Sequence, residues 1–319
     1  MTEQANNSHR IGVFDPYVSR VASNWDETAA GERWKSVDGS LVFVDISGFT
    51  NLSEKLARRG RIGAEELTSV LSRVFGSMLD VAYSCGGSLL KFGGDALLML
   101  FDSPDHVINA VGAAVEMRTA LRESAKIPTS VGRIPLRMSV GVHTGPIDLF
   151  LVGDSHRELI ITGPTASATT EMEGTADAGE IVVSSAIKDA LPPGYTGAAK
   201  GNGWILRKRS IQFWKCGPVV RSPISEDEME RFVPAALRPH LRSGLRESEH
   251  RVATVGFLKY KGIDALMESG GPRRVGEALD ELVKIVQREA DAEGVTFLAT
   301  DVAADGGKII LVGGVPGSQ

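Results

Sequence analysis

Two aspartates sit in this chain where chemistry would be placed. Asp45 closes the run Leu41-Val-Phe-Val-Asp45-Ile-Ser-Gly48-Phe-Thr50. Its β-branched and aromatic residues predict a buried strand, with a carboxylate where another hydrophobe is due. Gly48 lets the backbone turn, and Thr50 or Asn51 can cap a helix starting near Leu52, with Ser53 and Glu54 in its first turn. A strand, a carboxylate, a glycine turn and a helix N-terminus together suit a metal-bound phosphate. The carboxylate holds a hard cation, and the free N–H groups face the anion. A strand end whose Asp merely caps a turn is the plain alternative.

Asp95 repeats the theme within Ser88-Leu-Leu-Lys91-Phe-Gly-Gly94-Asp95-Ala-Leu-Leu-Met-Leu-Phe101. The apolar runs predict two antiparallel strands joined by a tight turn, with the carboxylate where the second begins. The two acids converge only if their strands are neighbours in one sheet. Two carboxylates plus phosphates is how magnesium is usually held, since it keeps octahedral oxygen ligands.

The surrounding elements must hold that pair. Leu67, Val70, Leu71, Val74, Phe75, Met78 and Val81 fall on one face of a helix over 56–82. Arg58, Arg59 and Arg61 invite a phosphate site but read better as a solvated loop between two helices. A second amphipathic helix covers 107–124. Residues 136–145 predict a strand ending at His143-Thr-Gly, followed by another over 147–152. His143 has no carboxylate or nucleophile nearby and reads as a turn histidine. Thr162 and Pro164 open a further helix; 179–185 give a short strand and turn, and 186–191 a short helix. Trp204-Ile-Leu and Gln212-Phe-Trp predict a small hairpin, and residues 218–251 a linker with a short helix. Val13, Phe14, Trp25 and Trp34 belong to a lead-in whose aromatics pack on the first domain.

With 319 residues, 42% hydrophobic and 24% charged, the chain has the makings of about two globular domains. A net charge of −5 argues against a general nucleic-acid binder. Cys85 and Cys216, far apart, encode neither a disulfide framework nor a zinc cluster. No signal peptide and no apolar run of ~20 residues is visible, so a cytoplasmic location is expected.

The tail repeats the beginning. Val255-Gly-Phe-Leu-Lys259-Tyr-Lys-Gly262 matches the Asp45 stretch, and Asp305-Gly-Gly307-Lys308 the Gly-Gly-Asp stretch, with a long helix through Leu279, Leu282, Val283 and Val286 between them. An internal duplication follows. Aligned by glycines, Lys259 replaces Asp45 and Gly307 replaces Asp95, so no second metal site is expected. The copy is incomplete, and the chain reads as the N-terminal piece of a longer protein. The expected divisions are 1–37 (lead-in), 38–191 (first domain), 192–250 (hairpin and linker) and 251–319 (start of the second copy).

The Asp45 and Gly-Gly-Asp95 motifs resemble the catalytic domain of class III nucleotidyl cyclases over roughly 38–191, in the tandem-domain soluble adenylyl cyclase arrangement. The resemblance implies an α+β, ferredoxin-like βαββαβ core and an active site at the interface of two such domains. Asp45, Asp95 and the Ile46 carbonyl would hold two Mg²⁺ or Mn²⁺ ions, while the backbone of Gly48, Phe49 and Thr50 wraps the triphosphate. Lys91 falls at the position that contacts adenine, where guanylyl enzymes carry Glu. The implied reaction is ATP to cyclic AMP and pyrophosphate, with a second cyclase domain, in the same chain or in a homodimer, as partner. The chain also departs from the pattern: Ile160 stands at the other adenine-reading position, Ser167 and Glu171 at the Asn and Arg that stabilise the transition state, and Ser139 at a phosphate-contacting basic position. In the resembled soluble enzymes a second pocket binds bicarbonate through the Lys and Arg positions, here Lys91 and Glu171; an inward Glu171 would pair with Lys91 and close it. Guanylate cyclase is one alternative, and a silent nucleotide-sensing module regulating a downstream ATPase is another. Diguanylate cyclases expect an acid where Ala96 stands.

Overall fold

In the computed structural model, residues 12–29, 31–124, 129–132, 135–207, 224–244 and 252–315 are described. Two short helices, α1 (Arg20–Ser23) and α2 (Trp25–Ala29), lead into β1 (Trp34–Ser47), the spine of the first domain. After it come α3 (Phe49–Ala57), α4 (Gly60–Ser84), β2 (Ser88–Gly93), β3 (Ala96–Phe101) and α5 (His106–Ser124). The second half runs β4 (Arg137–Val152), β5 (Glu158–Ile161), α6 (Pro164–Thr175), β6 (Ile181–Val183) and α7 (Ser185–Ala190), and closes with β7 (Thr196–Lys200) and β8 (Gly203–Leu206). The sheet order is β2-β3-β1-β4-β6-β8-β7, with β5 also on β4. This is the expected α+β core.

Alternation along β1 sorts the two faces. Val42, Val44 and Ile46 point with Leu97, Met99 and Phe101 into a core closed by Val74, Phe75 and Met78 of α4 and by Val111 and Met117 of α5. Each such side chain, fully buried, contributes ~1.5–3 kcal/mol. Leu41, Leu98 and Leu100 take the other face together with Trp25, and by the same period Asp45 lies there.

Three local expectations differ. β4 is one continuous strand paired with β1 from Trp34↔Phe150 to Ser47↔Arg137, so His143 stands mid-strand rather than in a turn. Thr50, Asn51 and Thr162 cap nothing: the N-cap positions are Gly48 and Gly163, without side-chain bonds, and the Thr162 hydroxyl donates to the Gly306 carbonyl instead. The arginine run does separate two helices, with Arg58 capping one and Arg59 the next. Gln212–Trp214 lie outside the described residues.

The linker contributes α8 (Glu226–Glu230) and α9 (Arg238–Arg242); Met229 of α8 and Val233 just after it pack with the buried Phe14. A C-terminal unit follows: β9 (Thr254–Lys261), α10 (Ile263–Ala292), β10 (Thr296–Ala303) and β11 (Gly306–Gly313). α10 is kinked at Gly271, whose φ is 70°, beside Pro272. Its Val275, Leu279 and Val283 pack, with Ile309, on Phe150, Val152 and Ile160 of the first domain.

Candidate active site

β1 and the β2–β3 hairpin bring the two aspartates together. Asp45 pairs with Ala96 on one side and Ser139 on the other. Asp95 occupies the two-residue turn with Gly94, whose φ of 71° suits glycine. The Ile46 N–H donates to the Asp95 carbonyl at 3.0 Å, pinning the turn to the strand end. Burial, then the charge of Asp95, raises the Asp45 carboxyl above its ordinary range. Its anionic form is thus incompletely compensated by the groups around it.

Beside them α3 begins at Phe49 after Gly48, a left-handed residue (φ 91°). A Cβ there would stand 3.0 Å from the Pro135 carbonyl oxygen. The first helical bond runs from the Leu52 N–H to the Gly48 carbonyl. The N–H groups of Phe49, Thr50 and Asn51 therefore point outward without an acceptor among the described residues, as at any uncapped helix start. Gly48 and Thr50 are exposed and Phe49 half-buried. Ile46 is buried in the core. Two coupled carboxylates beside uncapped N–H groups fit a cation-bound polyphosphate. Among the described residues no group of three or more His, Cys, Asp or Glu could hold a metal ion, so the protein donor set would be the two aspartates and backbone oxygen.

Glu173 was not legible as a member of this site. On α6 it accepts from the Ser139 hydroxyl at 2.9 Å. Its carboxyl is raised by burial first and, against the Ser139 bond, by the charges of Asp45 and Asp95. The phase of α6 is set by Gly141, where a Cβ would stand 2.3 Å from the Glu173 nitrogen and 2.4 Å from the Thr169 carbonyl. Glu171, by contrast, is exposed and accepts from Asn202 at 2.6 Å. His143 is half-buried; burial lowers it, and its Nδ1 finds no partner among the described residues.

Lys91 is committed elsewhere. Its ammonium is ion-paired with Glu158 and donates to the Thr300 hydroxyl of the C-terminal unit at 3.0 Å. Burial opposes ionisation of Glu158, but Lys91 and His156 hold its carboxyl down at about 2. The partner expected for Lys91, Glu171, is therefore replaced by Glu158. Ile160 is 2% exposed and packs on the C-terminal unit. The Ser167 hydroxyl accepts from the Asp305 N–H at 2.8 Å.

Strand register corrects the glycine-based alignment of the tail. Ala303 pairs with Gly306 as Gly93 pairs with Ala96, so Asp305, not Gly307, stands where Asp95 does. Lys261 pairs with Gly306 as Asp45 pairs with Ala96, so Lys261, not Lys259, stands where Asp45 does. The turn into α10 is two residues shorter than the turn into α3, which shifted the glycine match. The Asp305 carboxylate turns onto the start of α10, accepting from Gly262 at 3.2 Å and Asp264 at 3.1 Å. A side chain thus fills the position that α3 leaves open.

Two neighbouring carboxylates beside an uncapped helix start, on a sheet backed by helices, make this an α+β domain with one acidic strand end. The chain belongs to the adenylate and guanylate cyclase catalytic domain family, which matches residues 33–213. It is 28% identical over 178 residues to a membrane guanylyl cyclase of Dictyostelium discoideum, covering 54% of this chain and 11% of that one. Over 154 residues it is 27% identical to adenylate cyclase type 10 of Mus musculus, covering 47% and 10%. The matched region thus spans about a tenth of these relatives. A bacterial light-regulated adenylyl cyclase shares the fold, with a TM-score of 0.51 at 17% identity over 64% of this chain and 62% of that one. The family consists of nucleotidyl cyclase catalytic domains. Among the described residues, no helix is long and apolar enough to cross a membrane.

Proposed function

We propose that the protein converts ATP to 3′,5′-cyclic AMP and pyrophosphate. The observation that carries this reading is the juxtaposition of Asp45, near the end of β1, with Asp95 in the turn before β3, beside the free N–H groups of α3. Asp45, Asp95 and the Ile46 carbonyl would hold two Mg²⁺ or Mn²⁺ ions, and Gly48, Phe49 and Thr50 would receive the triphosphate through their backbone. Such ions supply Lewis acidity, which eases loss of the ribose 3′-hydroxyl proton and neutralises the departing pyrophosphate. The chain's own part is positional: β1 and the Gly94–Asp95 turn fix the carboxylates, and the helix start orients the phosphates. Residues 38–191 form the catalytic domain, and 251–319 a degenerate second copy whose helix start Asp305 already occupies. A partner domain, in this chain or in a second copy, would supply the transition-state donors that Ser167 and Glu171 do not.

One observation favours GTP as a second reading. By hairpin register Asp301 stands where Lys91 does in the first domain, and its carboxylate lies 3.3 Å from where a Cβ on Gly93 would be. A carboxylate accepts from the N1–H and amino group of guanine, which a lysine cannot. Lys308, 2.8 Å from Asp301, tempers that preference. Parallel assays of ATP and GTP with Mn²⁺, with products identified by mass, test both readings. Cyclic AMP in excess supports the first and cyclic GMP the second. Binding of either nucleotide without turnover would leave a silent sensing module in their place.

A further inference from the structure

An open cleft of about 550 Å³ lies where the β4–β5 connection, the linker and α10 meet, away from Asp45 and Asp95. Five cationic residues line it, Arg33, Arg157, Arg231, Arg238 and Lys284, against three acids. Two of the cations are spent: Arg33 and Lys284 both pair with Asp280, at 3.1 and 3.0 Å. Arg238 is held rigid, donating to the carbonyls of Val233 at 2.9 Å and Ser155 at 2.7 Å. The Arg157 N–H donates to the Arg231 carbonyl at 2.6 Å, which fixes the backbones of these two residues beside each other. Neither guanidinium makes an ion pair among the described residues, although Arg231 lies near enough to Glu228 to help lower its carboxyl. Leu151 is the one large apolar side chain on the wall.

We propose that this cleft binds a compact molecule carrying two or more phosphate groups. The volume lies in the range of small-ligand sites, ~300–1,000 Å³, but the polar wall offers nothing to a large apolar body. Guanidinium forks match phosphate oxygens bidentately, and Arg238 is already immobilised, so little side-chain freedom is lost on binding. The three walls come from three parts of the chain, so an occupant bridges them. Binding to the docked arrangement alone stabilises that arrangement by mass action. The cleft thereby becomes a place where a phosphorylated metabolite strengthens the seating of the C-terminal unit on the first domain.

Inorganic pyrophosphate is the probe, titrated calorimetrically into the full chain with EDTA present and ionic strength fixed. Pyrophosphate is also the product of the proposed reaction, so EDTA withholds the ions that site would need, and the cleft variants assign the binding. Saturable binding is expected, with a rise in Tm, weakened at least tenfold by Arg157→Gln and unchanged by Arg59→Gln on the far helix break. Arg231→Gln, on an exposed residue, provides a second variant should Arg157→Gln disturb folding. Heats that do not saturate at millimolar pyrophosphate overturn the proposal, as does an affinity indifferent to both cleft variants. Citrate binding as tightly as pyrophosphate overturns the assignment to phosphate.

Discussion

Three carboxylates, Asp45 on β1, Asp95 in the β2–β3 turn and Glu173 on α6, lie near enough to repel one another, and that repulsion governs what lies between them. Like charges 4 Å apart cost ~1 kcal/mol in water and several times more near a protein surface. Glu173 sits on Ser139, where the triphosphate would pass, so Glu173→Gln should lower the KM for metal-bound nucleotide several-fold; steady-state kinetics at saturating Mn²⁺ measure it. Asp45 gives a signed pH effect. Its carboxyl is raised in the fold, so the folded state is favoured below the ordinary carboxylate range and loses that advantage as pH climbs through the raised value. Asp45→Asn should therefore raise Tm at neutral pH, with the gain shrinking in acid; melting curves from pH 3 to 8 test it. The two aspartates stand out in the sequence because Asp45 interrupts an apolar run before a glycine and Asp95 follows a Gly-Gly turn where the next apolar run begins. Glu173 does not, because helix phase decides whether position 171 or 173 faces the sheet. That phase depends on the contact between α6 and Gly141, which no spacing encodes.

At the scale of elements, α6 is seated by one missing side chain. Gly141→Ala would drive a methyl into the Thr169 carbonyl and the Glu173 nitrogen, an overpacking that costs ~1–3 kcal/mol. Stability should fall, read by thermal melting, and a crystal structure of the variant would show α6 displaced outward, with the Glu173–Ser139 hydrogen bond lengthened or lost. Periodicity located α4 and α5 because their apolar faces are long and close one core, whereas the helix after Gly48 was expected from capping residues and starts at Phe49, three residues earlier than they implied. Periodicity split β4 in two because Gly145-Pro146 reads as a turn, whereas fourteen register pairs with β1 carry the strand through it. The helix starts were misjudged for a related reason. Thr50 and Thr162 are good capping types, but glycines occupy the N-cap positions, Gly48 in the αL region and Gly163 at a positive φ of 102°, and the Thr162 hydroxyl turns to the Gly306 carbonyl.

For the whole molecule, the seam between the first domain and the C-terminal unit rests on Lys91, Glu158 and Thr300. Both charged side chains are nearly buried, 12% and 9% exposed. Lys91→Met strands Glu158 and should cost ~3–5 kcal/mol, read by thermal melting, with Lys91→Met/Glu158→Gln recovering much of it. Glu158 is depressed from 4.5 to about 2, so its contribution is complete above pH 4.5 and vanishes as pH falls towards 2. Hydrogen exchange in β10 and α10 should quicken across that window, and Glu158→Gln should flatten the dependence. This seam was invisible in the sequence. Glu158 lies in no motif, and a resemblance to nucleotide-binding positions assigned Lys91 to adenine. The strand, helix, strand, strand order of the tail was legible, but its shorter turn before α10 hid Asp305 and Asp301 behind a glycine match.

The central claim is that Asp45 and Asp95 together hold the metal ions on which cyclisation depends. Mn²⁺ binding by electron paramagnetic resonance and cyclic-nucleotide formation, on the same samples of unaltered protein, Asp45→Asn and Asp95→Asn, test it most directly. The expected result is Mn²⁺ bound by the unaltered protein, lost in both variants together with at least hundredfold in turnover, while Asp45→Asn keeps or gains Tm. Turnover within a few-fold of the unaltered protein in either variant, or Mn²⁺ retained by both, would contradict it.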